Sequence, residues 1–160
     1  MGTRSCTYVV SKFDYAVPTV YACMYRHYDG YFGMGGQGHD LYEFLKDRRI
    51  ISGYTQDDIG KRVSNGAGCL AASMVAAFKQ ESELGGIYLL PPPSLEGVAE
   101  DNILRTLVEH ANAQGAEYTY IVRVEHGEPI LVTVLDHRGI IVWRGEADNG
   151  MIAALQGADE

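Results

Sequence analysis

The reactive side chains of this sequence concentrate between Tyr25 and Phe44, as Tyr25-Arg26-His27-Tyr28-Asp29-Gly30-Tyr31 followed by Gly33-Met34-Gly35-Gly36-Gln37-Gly38-His39-Asp40. Residues two apart on a strand share a face, so His27 and Asp29 project together. His39 and Asp40 rejoin them if the glycine run folds back. Two imidazoles and two carboxylates could ligate a divalent transition metal or form a general acid–base pair. The spacing matches no metalloenzyme motif, since neither H-E-x-x-H nor C-x-x-C occurs, and no metal ligand set is assigned. The plainer alternative is that His27 and Asp29 hydrogen-bond the loop backbone, with Asp29-Gly30 as a turn.

Gly33-x-Gly35-x-x-Gly38 has the literal form of the dinucleotide fingerprint and stands between a strand and a helix, where free N–H groups and the helix dipole favour an anion. The preceding strand reads as antiparallel, so the βαβ setting is missing and a Rossmann domain is excluded. A glycine loop able to approach an anionic group survives, beside the alternative of a plain surface loop. Tyr21, Tyr25, Tyr28, Tyr31 and Tyr42 crowd the same window. They offer faces for a base or another flat ligand, or anchors for a protein interface, and serve equally as sheet core and edge. Arg26 and Arg4 could meet a phosphate or pair with carboxylates. The expected ligand-binding set is Arg26, His27, Tyr28, Asp29, Tyr31, Gly35, Gly36, Gly38 and His39, around a small anionic or nucleotide-like ligand. No cofactor is identified.

Other features carry less. Asn65-Gly66-Ala67-Gly68 precedes a helix and reads as an anion-binding N-terminus or simply a cap. Cys69 at that helix start could be an activated thiol, but Leu70 and the alanines around it read as the setting of a buried small residue. No Ser-His-Asp arrangement or nucleophile elbow is visible. His110, His126 and His137 read as surface residues and Trp143 as core.

The composition bounds what these residues can serve. At 160 residues, with 46% hydrophobic and 21% charged side chains, the chain is expected to form one globular domain, residues 1 to 160. Three unpaired-looking cysteines, Cys6, Cys23 and Cys69, fit a reduced compartment. The net charge of -8 opposes nucleic-acid phosphates, so direct nucleic-acid binding is not expected. Acidity serves solubility, or docks on a basic partner. No signal-peptide pattern and no membrane-length apolar run is present, and Gly2 with Cys6 misses the myristoylation pattern. The expectation is a soluble, cytoplasmic protein without membrane association, and exposed strand edges would allow a symmetric dimer.

The elements that must position the Tyr25–Asp40 window follow from periodicity. Ser5 to Phe13 and Thr19 to Tyr28 alternate as strands, joined through Asp14 to Pro18 as an antiparallel hairpin. The second strand is expected to send Val20, Ala22, Met24, Arg26 and Tyr28 to one side, and Tyr21, Cys23, Tyr25, His27 and Asp29 to the other. A helix begins near Asp40, capped by His39 or Asp40, and a second runs from Cys69 to Ser82 and stops at Gly85-Gly86. Ile50 to Val63 shows no period. Ile87 to Leu90 reads as a short strand before Pro91-Pro92-Pro93. A third helix spans Val98 to Asn112 and ends at Gly115. Glu117–Glu125, Ile130–Leu135 and Ile140–Arg144 form a meander with turns at His126 to Pro129 and Asp136 to Gly139, and a short helix covers Met151 to Leu155. The fold class is α+β, an antiparallel sheet with helices packed on one face and a C-terminal β-meander.

Thr3-Arg4-Ser5, His27-Tyr28-Asp29-Gly30-Tyr31, a glycine before the Leu41 helix, Asn65-Gly66-x-Gly68 leading into Leu70-Ala71-Ala72, and the tyrosine-rich Tyr118-Thr119-Tyr120 together resemble a family of small phage and prophage proteins. Its members read T-R-S and then H-[WY]-D-G-Y-P. Phe32 stands here in place of the proline, and the loop carries extra glycines. The resemblance implies a viral or mobile-element origin, hence residence in the host cytosol, and an accessory role countering a host defence system.

Three readings follow. A binding protein could hold a small anionic ligand at Tyr25 to Asp40. An inhibitor could dock on a host protein through its acidic surface and exposed tyrosines. A metal-dependent hydrolase could use His27, Asp29, His39 and Asp40.

Overall fold

The computed structural model describes residues 2–11, 18–80, 86–125 and 127–158. The link from Asp14 to Val17, the expected end of the second helix around Ser82 to Gly85, and His126 lie outside these residues. Six strands make the main sheet: β1 (Ser5–Ser11), β2 (Thr19–Arg26), β5 (Ile87–Leu90), β6 (Tyr118–Arg123), β7 (Leu131–Asp136) and β8 (Ile141–Gly145), in the order β5-β2-β1-β6-β7-β8. All pairings are antiparallel except β1 with β6. The class is α+β and the C-terminal strands form the expected meander.

Every residue of β1 is buried because the strand lies mid-sheet with both faces covered. Cys6, Tyr8 and Val10 point one way, and Ser5, Thr7, Val9 and Ser11 the other. On the Val9 side pack α1 (Gln37–Leu45), α2 (Gly66–Lys79) and α4 (Asn149–Ala158), through Leu41, Leu45, Leu70, Met74, Met151 and Leu155. The sequence reading put the helices on one face of the sheet, and the structure divides them, because two-sided burial of β1 requires cover on both faces. The fourth, α3 (Ile103–Ala113), covers the Tyr8 side with Ile103, Leu107, Val108 and Ala111.

Several boundaries differ from the sequence reading, each for a local reason. The hairpin register slips between Val9 and Val10, a bulge that places Val20 with Cys23 and Tyr25 on the α3 side and Tyr21 with Ala22 on the other. Strand β2 stops at Arg26, since Asp29 takes a left-handed conformation (φ 57°) and turns the chain. Helix α1 starts at Gln37 with Gly36 as its N-cap, so His39 and Asp40 lie inside the first turn. Helix α2 starts at Gly66, and α3 is preceded by a 3-10 turn at Glu100–Asn102. The aperiodic stretch after α1 holds a small parallel pair, β3 (Arg49–Ile51) and β4 (Val63–Asn65), too short to show a period. No helix is long and apolar enough to cross a membrane among the described residues.

Candidate functional site

Beyond β2 the chain turns through Asp29-Gly30, and the turn is fixed from three directions. Gly30 N donates to Thr3 O (2.8 Å), Gln37 N donates to Asp29 O (2.8 Å), and the buried Tyr120 hydroxyl donates to Gly30 O (2.8 Å). Burial pushes the Tyr120 phenol well above its ordinary pKa, so it stays a donor. The glycines here allow close approach. A Cβ on Gly30 would lie 2.8 Å from Ser5 Cβ and N, one on Gly36 would strike the Tyr31 carbonyl oxygen and ring, and one on Gly38 would lie 2.8 Å from Phe32 Cδ1 and Leu155 Cδ2. The glycine run is thus a packed corner in which Gly38 belongs to α1.

That corner aims Arg26. Fully buried Gln37 donates from Nε2 to Thr7 Oγ1 (3.0 Å) and accepts from Arg26 Nη1 (2.8 Å). Arg26 Nη1 also reaches Asp40 Oδ2 (2.5 Å), and its Nε donates to Tyr28 O (2.7 Å). Of the two roles the sequence left open for Arg26, the structure places it in the carboxylate pair. Gln37 escaped the sequence reading because a lone glutamine after glycines has no signature; its role comes from Thr7, thirty residues away.

Around this group lies an open cleft of about 1290 Å³, bounded by the end of β2, by α1, by the C-terminal half of α2 and by β5. Arg26, His27, Tyr28 and Asp29 of the expected set line it, together with Tyr25, Asp40, Glu43, Phe44, Arg62, Phe78 and Tyr88. Tyr31, Gly35, Gly36, Gly38 and His39 do not. Gly35 N donates to His39 Nδ1 (3.2 Å), leaving His39 Nε2 towards Glu43 (3.5 Å), so His39 braces the corner. His27 Nδ1 lies 2.9 Å from the Tyr25 hydroxyl, which donates when the ring carries its proton on Nε2. Among the described residues no three His, Cys, Asp or Glu side chains gather as a metal would require. The sequence had suggested a meeting of His27, Asp29, His39 and Asp40; the third is held by Gly35 and Glu43, and the fourth by Arg26.

The cleft's aromatic wall is continuous. Ring centroids run from Tyr88 to Tyr25 (6.3 Å), to His27 (6.1 Å) and to Tyr28 (4.6 Å), with Tyr28 63% and Tyr88 49% exposed. Phe44 and Phe78 also line the cleft, edge to face at 5.8 Å; the Arg48 guanidinium lies over the Phe44 ring (4.1 Å) and the Lys79 ammonium over that of Tyr88 (5.1 Å). Two arginines and three carboxylates share the lining. Arg62 joins α1 to β4 by donating Nη2 to the carbonyls of Glu43 (2.8 Å) and Phe44 (2.5 Å) and Nε to that of Lys46 (2.9 Å). Glu43 is held below its ordinary pKa by its hydrogen bond with Lys46. Among the described residues no side chain pairs with the Asp29 carboxylate. Both arginines are therefore engaged, and so are Asp40, by Arg26, and Glu43, by Lys46 (2.6 Å) and His39 (3.5 Å), which leaves the Asp29 carboxylate as the one without a described side-chain partner.

Elsewhere the structure corrects smaller expectations. Cys69 is exposed, not buried, because α2 turns its Leu70 and Ala71 inward. The Asn65 side chain caps no helix N–H and instead accepts from Gly53 N (2.7 Å). His110 is not a free surface residue: Nδ1 takes the hydroxyl of buried Tyr8 at 2.7 Å, and burial lowers its pKa. Trp143 stacks on Phe32 beside the core, as expected (6.2 Å). Glu100 is already tied to Arg123. No family model, no curated protein and no solved structure matches this chain.

Proposed function

We propose that this chain is a binding protein that docks a basic segment of a partner protein in the cleft between β2, β5, α1 and α2. In this reading it is an accessory protein of phage type that occupies a host defence protein, the setting implied by the resemblance to small phage proteins. One observation carries it: the Asp29 carboxylate, which no described side chain pairs, lines the cleft together with the exposed ring of Tyr28, while Arg26 and Arg62 are committed to internal partners. A lysine or arginine side chain finds there both an aromatic face for its charge and a carboxylate for its hydrogen bonds. The overall charge of -8 steers a basic partner in and repels acidic ones.

A second reading keeps the small anionic, nucleotide-like ligand. The row from Tyr88 to Tyr28 suits a flat ring, and Arg26 meets Gln37, Asp40 and Tyr28 through Nη1 and Nε, not through Nη2. Calorimetric titration separates the two. A short lysine-rich peptide should bind and should weaken about tenfold with Asp29→Asn, the loss of one charge-assisted contact. Mononucleotides that bind while the peptide does not would reverse the choice.

A further inference from the structure

The six-stranded sheet is open, so β5 and β8 each present an unpaired outer side among the described residues. Such edges template the addition of another strand unless something prevents it. On β8 something does: the register with β7 slips between Val134 and Leu135, so a bulge interrupts the strand at Val142. β5 has no such interruption. Cys23 to Arg26 pair with Leu90 to Ile87 in unbroken register. Its exposed Leu89 (61%) and Tyr88 border the cleft, while Lys79 Nζ donates to the Ile87 carbonyl (3.2 Å) and closes that end of the edge, leaving Tyr88 to Leu90 for pairing.

Resting on the proposed docking of a basic segment, we infer that the segment enters as an extended strand added to β5. Pro91-Pro92-Pro93 cannot carry the ladder further and Lys79 holds the Ile87 carbonyl, which confines the pairing to Tyr88–Leu90. Alternate side chains of the added strand face opposite walls. Those on one face meet Phe78 and the half-exposed carboxylate of Asp40, where a lysine stem packs on the ring and its ammonium reaches Oδ1, the oxygen that does not carry the Arg26 pair. Those on the other lie beside Tyr88. Backbone hydrogen bonds supply affinity, and the charged wall selects basic over acidic segments.

The test uses the full chain and a fluorescent, end-blocked peptide alternating lysine and valine, read by anisotropy. The peptide should saturate, and its counterpart with glutamate for lysine should not bind. N-methylation of alternate peptide nitrogens removes the donors on one edge of a strand only. One of the two alternating sets should weaken binding by at least about tenfold and the other should leave it near the parent. If both methylated sets bind like the parent, strand addition is wrong while docking in the cleft stands. If lysine and glutamate peptides bind equally, or neither binds, the docking reading itself falls.

Discussion

The two edges of the sheet look alike in composition and differ in everything that matters for recognition. β5 exposes Tyr88 and Leu89, and β8 exposes Ile141 and Val142 with Ile140 just before it. The first borders a cleft with rings, carboxylates and an unbroken register; the second has a bulge and lines no cleft described above. Exposed apolar side chains on an edge therefore do not by themselves make a docking site. In the proposed reading, what makes one is regular pairing geometry beside a shaped wall.

The largest effects should come from the corner that builds the β5 side. Gly36→Ala sets a methyl against the Tyr31 carbonyl and ring, and should cost about 3 kcal/mol, as overpacking against backbone does. Gly139→Ala, in the β7–β8 turn, meets open space and pays only for its left-handed φ of 81°, about 1 kcal/mol. Urea unfolding of both variants measures the contrast. Next comes Gln37→Leu, which strips buried Thr7 and Arg26 of their common partner and should destabilise by about 2 kcal/mol. Equal losses at Gly36 and Gly139 would deny the corner its special role.

Binding should respond at one edge only. Asp29→Asn keeps a residue that tolerates the left-handed backbone yet removes the charge, and should weaken the lysine peptide about tenfold. Ile140→Lys and Val142→Lys should change neither peptide affinity nor stability beyond about 0.5 kcal/mol, as exposed substitutions usually do. The smallest effect concerns the α3 side. Burial lowers the His110 pKa from 6.5, so the unfolded chain takes up this proton more readily than the folded one. The stability from its neutral form is full above pH 6.5 and is lost as the pH falls towards the folded value. Thermal melts of His110→Gln should show a shallower decline below pH 6.5 than wild type.

Much of this scaffold was legible in the chain. The stripe Ile103, Leu107, Val108 and Ala111 announces α3, and alternation from Tyr118 to Arg144 announces the meander. Asp29-Gly30 reads as the turn it is, and Arg26 to Asp29 do line the cleft. What escaped depends on contacts between distant residues. The bulge that exchanges Val20 and Tyr21 arises from pairing with β1, and the three-residue strands β3 and β4 are too short for a period. The strand order that leaves β5 at an edge has no local signal either. The glycine run carried a real one, but for a different cause: Gly36 and Gly38 admit neighbouring atoms of the protein itself.

The most direct test is amide hydrogen exchange of the full chain with and without the lysine–valine peptide. Added protection should appear at Tyr88–Leu90 and around Arg26 to Asp29, with β8 unchanged. Protection confined to Ile141–Gly145, or none at β5 under saturating peptide, would contradict the assignment of the β5 cleft as the docking site.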